Sequence, residues 1–269
     1  MKIKPSKLGV RRNINIVNWL GLYSLYIKEV RRFTSVFLQT VSAPMVTTIL
    51  FVIVFSVAID RGAGKEGVPY LTFLIPGLLM MSVLQNSYAN SSSAFMTAKV
   101  TGNIVDLLMA PLGPFEIFLA HNLAGITRGV FVFLASYLLL SVIGIATLPN
   151  SLFWVLIFLI LGGFALSSIG IIAGIWAQKF DQLAIISNFV VQPLAFLSGT
   201  FYSIDKLPEY LKFLAYCNPF FYVVDGFRFG FLGVSDVKPY ISLSILLVCN
   251  LILGYFTWYI LKIGYRLKT

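Results

Sequence analysis

The chain has 269 residues, of which 58% are apolar and only 11% charged, less than half the charged share of a soluble domain. So few charges cannot cover a water-facing surface. A mean hydropathy of +0.89 and charge-free runs of membrane length define an all-α polytopic membrane protein. Two cysteines, Cys217 and Cys249, and a single histidine, His121, exclude a disulfide framework and a Cys/His zinc centre.

In chain order, residues 1–35 form a basic segment. Its part Ile14–Phe33 carries Trp19, Tyr23 and Tyr26 and ends in Lys28-Glu29-Val30-Arg31-Arg32. The uncharged stretch Asn13–Ile27 is 15 residues, short of the ~20 a crossing needs. No small-residue cleavage site follows, so a signal peptide is not expected. The segment reads as an amphipathic helix along the inner interface, basic end against anionic lipid, with a plain polybasic anchor as the simpler alternative. Spans are expected at 36–59, 68–98, 129–147, 152–178, 182–204 and 239–261. The third and fourth come from one 50-residue uncharged run, 129–178, turned by Leu148-Pro149-Asn150-Ser151. Six spans place both termini on one side.

Lysine and arginine choose that side. With cytoplasmic termini, fourteen of the 20 basic residues are inner: the eight before the first span, then Lys99, Arg128, Lys179, Lys262, Arg266 and Lys268. Arg61, Lys65, Lys206, Lys212, Arg228 and Lys238 are outer. Acids divide four inside and six outside, so the whole net charge of +10 lies on the inner face. The basic balance is therefore topological, and no nucleic-acid partner is expected.

Gly62-Ala63-Gly64-Lys65-Glu66-Gly67 matches G-x-G-x-x-G in form only, because the eight-residue outer loop 60–67 has no βαβ unit around it. It is not a P-loop either: Ile59 stands where the first glycine belongs and Glu66 where Ser or Thr should follow Lys65. Ser203-Ile204-Asp205-Lys206 matches S-x-x-K but lacks K-T-G and S-D-N partners. No catalytic, cofactor-binding or metal-ligating residues are expected. The charge-free spans hold no proton- or ion-coupling group and no filter sequence, so the energy for any work must come from a partner.

The spans do hold amides and hydroxyls. Asn86 and Asn90 lie one turn apart near Gln85 and Ser91-Ser92-Ser93, and Asn188 and Gln192 repeat that spacing before Pro193. They either line a pathway or hydrogen-bond helices to one another. Gly170 and Gly174 form G-x-x-x-G, a helix-packing signal.

The inner loop, 99–128, is expected to carry a short helix from Asn103 to Met109, with Asn103 as N-cap, Asp106 at the third position and Pro111 as the stop. Ile104, Leu107 and Leu108 would form an apolar face seeking a membrane surface or a protein groove. The outer loop, 205–238, is aromatic, with Leu207-Pro208-Glu209 and Asn218-Pro219-Phe220, and is expected to dip into the outer interface. Asp225 and Arg228 are spaced to pair on a helix.

The chain resembles, nearly end to end, the permeases of the type-2 exporter family in the ATP-binding-cassette (ABC) superfamily. The resemblance rests on Gln192-Pro193-Leu194-Ala195-Phe196-Leu197-Ser198-Gly199-Thr200-Phe201-Tyr202, then Leu207-Pro208, Asn218-Pro219 and Gly226-Phe227-Arg228. A second block runs from Pro76-Gly77-Leu78-Leu79-Met80-Met81 to Ser87-Tyr88-Ala89-Asn90. It implies a re-entrant outer hairpin built on Pro193, Ser198, Gly199, Pro208, Asn218, Pro219 and Arg228. It also implies a dimer with a second copy, and two cytoplasmic ATPase subunits that hold the ATP and Mg this chain lacks. The family's ATPase-coupling loop is similar to Lys99, Gly102, Asn103, Ile104, Asp106, Leu107 and Leu108 here. Relatives commonly carry Glu at the Asp106 position and Thr at the Asn103 position. The family exports drugs, glycans and lipid-linked polymers from the bacterial inner membrane. Nothing in these residues selects among them. The resemblance is to the drug- and small-lipid-type members and implies a drug-like or amphipathic substrate, with a glycan as the alternative and a non-transporting scaffold as the alternative of another class.

Overall fold

The computed structural model describes residues 17–58 and 68–266. The glycine-rich match at 62–67 and the basic residues 2–12 lie outside them. The described elements are helical.

Asn18 opens α1 (Trp19–Thr34), its side-chain oxygen accepting the Gly21 N–H at 2.9 Å, which satisfies one orphan amide of the first turn. Leu22, Leu25, Glu29 and Phe33 make the buried face at three- and four-residue spacing, while Trp19 and Tyr23 stay exposed. Arg31 and Arg32 fall in the last turn, where positive charge meets the negative end of the helix dipole. After a two-residue break comes α2 (Phe37–Ala58), which leaves Leu38, Val46, Leu50, Val54 and Val57 exposed, as a lipid-facing helix does.

The centre of the molecule is α3 (Tyr70–Val100), buried along most of its length. It packs on α5 (Pro114–Val142), α6 (Leu152–Trp176) and α10 (Pro219–Leu232). Gly170 and Gly174 make the α3–α6 contact close. A Cβ on either would stand 2.5 Å from the Tyr88 carbonyl oxygen or 2.7 Å from that of Ser92, so this motif serves helix packing.

Five described helices are long and apolar enough to cross a membrane: Phe37–Val57, Tyr70–Val100, Pro114–Val142, Leu152–Trp176 and Pro239–Ile263. The last is α11. The apolar run Phe180–Phe196 is shorter, 17 residues, and is built from α7 (Phe180–Ile186), a π-helical turn (Ser187–Val191) and α8 (Gln192–Phe196). The expected span 182–204 thus begins two residues early and loses its helix at Leu197. The π register, in which Gln192 N–H reaches Ser187 O, sits just before Pro193, whose missing N–H leaves a carbonyl to be satisfied another way.

The third expected span also differs. Its helix starts at Pro114, not Gly129, and therefore takes in Glu116, His121 and Arg128. Those charges read as loop, yet Glu116 and His121 are buried and all three have polar partners or neighbours within the bundle.

Contacts mark two ends of the bundle. At one, Lys99 Nζ donates to the carbonyls of Ile175 and Ala177, Arg266 donates to Trp176 O at 3.2 Å, and Asn18 Nδ2 donates to Pro111 O at 2.9 Å. At the other, Asn150 and Ser151 N–H bond the carbonyls of Phe231 and Gly230 at 3.2 and 2.9 Å, and Tyr70 OH donates to Phe201 O at 2.9 Å. Segments expected on one side of the membrane thus meet at one end.

Candidate functional site

Beside α1, at the α2–α3 junction, lies a polar cleft of about 530 Å³. Its walls include Gln39, Thr40 and Thr47 of α2, Ser82, Gln85, Asn86 and Ser93 of α3, and Ser187 and Gln192 of the π-turned run. Two cations line it, Arg32 from the end of α1 and Arg128 from the middle of α5. Of the four amides expected to line a pathway, Asn86 and Gln192 are on this wall. Asn90 sits behind it, buried, and Asn188 is exposed and outside the lining.

The two arginines differ in how they are held. Arg32 is fixed on all sides: Nε to Glu29 Oε2 at 2.8 Å, Nη1 to Ser93 Oγ at 3.2 Å, and Nη2 to Asn90 O and Oδ1 at 2.7 and 3.1 Å. Burial by itself raises the Glu29 carboxyl, but His121, 4.0 Å away, Arg32 and Lys28 outweigh it and hold the group below its ordinary value. His121 is otherwise a core residue, its Nδ1 2.8 Å from Ile117 O and its ring 4.5 Å from that of Phe95. Arg128 has one bond, Nη2 to Asn86 Oδ1 at 3.1 Å; its Nε is buried without a partner, and no carboxylate pairs with it among the described residues. The expectation of charge-free spans missed this cluster, because Arg128 was read as the end of a loop.

The inner loop is short. Gly102, at φ +77°, makes a left-handed turn that suits glycine, and α4 (Ile104–Met109) follows. Asn103 stands before it but its side chain makes no capping bond, so the expected N-cap is not formed. The expected apolar face is also divided. Ile104 and Leu107 are buried in a cluster with Leu22 and Leu25 of α1 and Ile117 of α5. The face turned out holds Val105, Leu108 and Met109, the last 80% exposed, with Asp106 exposed beside them. Glu116 Oε1 accepts Asn18 N–H at 3.0 Å, so α1, α4 and the start of α5 form one unit. Lys99 is spent inside the fold, on the last carbonyls of α6.

At the opposite end the hairpin residues gather. Ser198 Oγ donates to Ala195 O at 2.6 Å, and Gly199 turns the chain at φ +73°. Pro208 O accepts from Leu211 and Lys212 as α9 (Glu209–Cys217) begins. Asn218 accepts Phe220 N–H at 3.0 Å as N-cap of α10, with Pro219 in the first turn, and its Nδ2 reaches back to Leu194 O at 2.6 Å. Arg228, 1% exposed, lies 3.8 Å over the Phe73 ring and donates to the carbonyls of Phe73, Gly199 and Thr200. The expected Asp225–Arg228 pair is replaced: Asp225 accepts the N–H groups of Asp236 and Val237 at 2.7 and 3.0 Å. A Cβ on Gly77 would meet Thr200 O at 2.5 Å, so the two sequence blocks 76–90 and 192–228 pack against each other.

A helical bundle whose described residues include five membrane-length apolar helices, with a polar cleft between them, is the architecture of a multi-pass membrane protein. Residues 21–232 match the ABC-2 type transporter family, and the chain belongs to that family. It is 34% identical over 255 residues to the inner membrane transport permease YadH of Escherichia coli K12, covering 93% of this chain and 98% of that protein. Nodulation protein J of Sinorhizobium fredii is 25% identical over 166 residues, 61% of this chain and 62% of its own length. The putative transport permease ycf38 of Cyanophora paradoxa is 24% identical over 235 residues, 84% of this chain and 80% of its own.

Proposed function

We propose that this chain is the membrane-spanning subunit of an ATP-driven exporter, working as a dimer and coupled through α4 to a separate cytoplasmic ATPase that holds ATP and Mg. The observation that carries this reading is the division of α4. Ile104 and Leu107 root the helix in the α1–α5 unit, while Val105, Leu108 and Met109 face outward. An apolar face on a connecting helix, held rigidly and left uncovered by the described residues, suits a partner's groove. The match to the ABC-2 type transporter family supports an ABC ATPase as that partner.

In this reading both termini are cytoplasmic in a bacterial inner membrane, the location named for the E. coli relative. The run Phe180–Phe196, ~25 Å at 1.5 Å per residue, is the sixth crossing, completed by the turn at Leu197–Ser203. The helix α1 lies in the inner interface, and α9 with α10 form a re-entrant outer hairpin. The cargo is an amphipathic or drug-like molecule that enters by the cleft between α2, α3 and the π-turned run. A tagged chain purified from its native membrane in mild detergent should bring down a Walker-A protein, and ATP turnover in that preparation should respond to cargo. A preparation containing no nucleotide-binding chain, with no ATP turnover, would overturn the reading.

A further inference from the structure

The cleft is cationic, and its charge is arranged in depth. Arg32 holds Asn90 and Arg128 holds Asn86, so the two guanidinium groups stand one helical turn apart along α3, about 6 Å at 1.5 Å per residue. Arg32 belongs to the end of the interfacial helix and its charge is answered by Glu29 at 2.8 Å. Arg128 is the deeper one, and among the described residues no carboxylate answers it. A guanidinium in a protein interior is costly to retain unless an anion or a full set of acceptors meets it. Here one acceptor, Asn86 Oδ1, is present, and the Nε–H is buried without one. Among the described residues Arg32 and Arg128 are the only charged ones on the wall, which otherwise offers neutral hydrogen-bonding groups such as Gln85, Ser187 and Gln192. Val36 just before α2 and Ala43 and Pro44 within it add apolar wall, and Val46 and Leu50 of the same helix are exposed.

We propose that the cleft binds the anionic headgroup, a phosphate or carboxylate, of a membrane amphiphile, with Arg128 as the anchoring charge and the amphiphile's chains lying along α2. Planar guanidinium groups bind both anions in a two-pronged geometry. The headgroup passes Arg32 at the interface and settles one turn deeper, where its charge is the missing partner. The inference deepens the cargo route of the proposed exporter and rests on that reading for its role, but the binding itself needs neither ATP nor an ATPase.

The test uses the full chain alone in a neutral maltoside detergent. Binding of dioctanoyl phosphatidic acid, dioctanoyl phosphatidylcholine and inorganic phosphate is titrated against wild type, Arg128→Gln and Arg128→Lys. Wild type should bind the phosphatidic acid at least tenfold more tightly than the phosphatidylcholine. Arg128→Gln should lose that preference while its melting temperature holds or rises, because an unanswered buried charge has gone. Arg128→Lys should keep part of the preference. Equal affinity for the two lipids, or a preference that survives in Arg128→Gln, overturns the proposal. So does a drop in melting temperature with lipid preference intact, which makes Arg128 a structural strut. Inorganic phosphate binding as tightly as the phosphatidic acid overturns the amphiphile. A preparation that binds as expected but never shows ATP-dependent activity leaves the site standing and removes the exporter reading instead.

Discussion

Three buried carbonyls, of Phe73, Gly199 and Thr200, accept hydrogen bonds from Arg228, and few single side chains in the fold tie together so many elements. Leucine at this position keeps much of the volume but strands the carbonyls of Gly199 and Thr200, while Phe73 O, inside α3, keeps its helical N–H partner. Two unsatisfied buried acceptors cost ~2–6 kcal/mol together, so Arg228→Leu should unfold in detergent well below wild type. An unchanged melting point would show the hairpin to be held by its aromatic contacts alone. Glu29 makes a pH-dependent case. Its carboxyl is depressed from 4.5, so the stability it contributes is present above that value and is lost as pH falls through its folded-state value. Glu29→Gln should therefore cost about 1–3 kcal/mol near neutrality, the worth of a hydrogen bond to a charged group. The gap between variant and wild type should close on acidification below 4.5; a gap that is constant with pH would mean that packing, not charge, holds α1 in place.

At the scale of elements, α4 is the most informative. Its sequence Ile104-Val105-Asp106-Leu107-Leu108-Met109 is apolar at every position but one, so hydrophobic periodicity could announce a buried face but not say which one. The structure chooses: Ile104 and Leu107 inward, Val105, Leu108 and Met109 outward. Leu107→Asp should thus break the fold, at a cost no smaller than the ~2–5 kcal/mol of emptying a buried leucine site. Leu108→Asp with Met109→Asp should leave the melting point within about 1 kcal/mol of wild type and abolish ATPase co-purification. If the double variant still recruits the ATPase, the outward face is not the docking face. The same limit explains the two misplaced spans. Charge-free runs located the helices α2, α3, α6 and α11 closely, because nothing charged interrupts them. They failed at α5, where Glu116, His121 and Arg128 are carried inside the bundle by partners from α1 and α3, information that no local window holds. They also overran α8, where the helix stops at Phe196 and Gly199 turns the chain back at φ +73°. The spacing of Asn86 and Asn90 was visible in the sequence, but their arginine partners were not.

At the scale of the whole molecule, the charge asymmetry and the contacts agree on which segments share an end. Arg266 meets Trp176, Lys99 meets Ala177, and Asn18 meets Pro111, so α1, the α4 connection, the α6–α7 connection and the end of α11 lie together. The turn before α6 instead bonds the end of α10 through Asn150 and Ser151. These contacts fix two ends but not which one faces the cytoplasm; the proposed orientation takes the basic-rich end as the inner one. The native Cys217 is exposed on α9, and Cys249 is partly buried in α11, so both are replaced by serine before probes are placed. In that background Asn150→Cys should react with a membrane-impermeant thiol reagent in intact cells, and Met109→Cys should react only after the cells are opened. Met109 is 80% exposed and Asn150 is exposed in its turn. The chain is expressed without its proposed ATPase, whose groove would otherwise cover Met109, so neither silence nor reaction can be blamed on burial. Labelling of Met109→Cys in intact cells, with Asn150→Cys protected, would turn the molecule over. It would place α4 where no cytoplasmic ATPase could reach it, and the polar cleft would then open toward the outer leaflet.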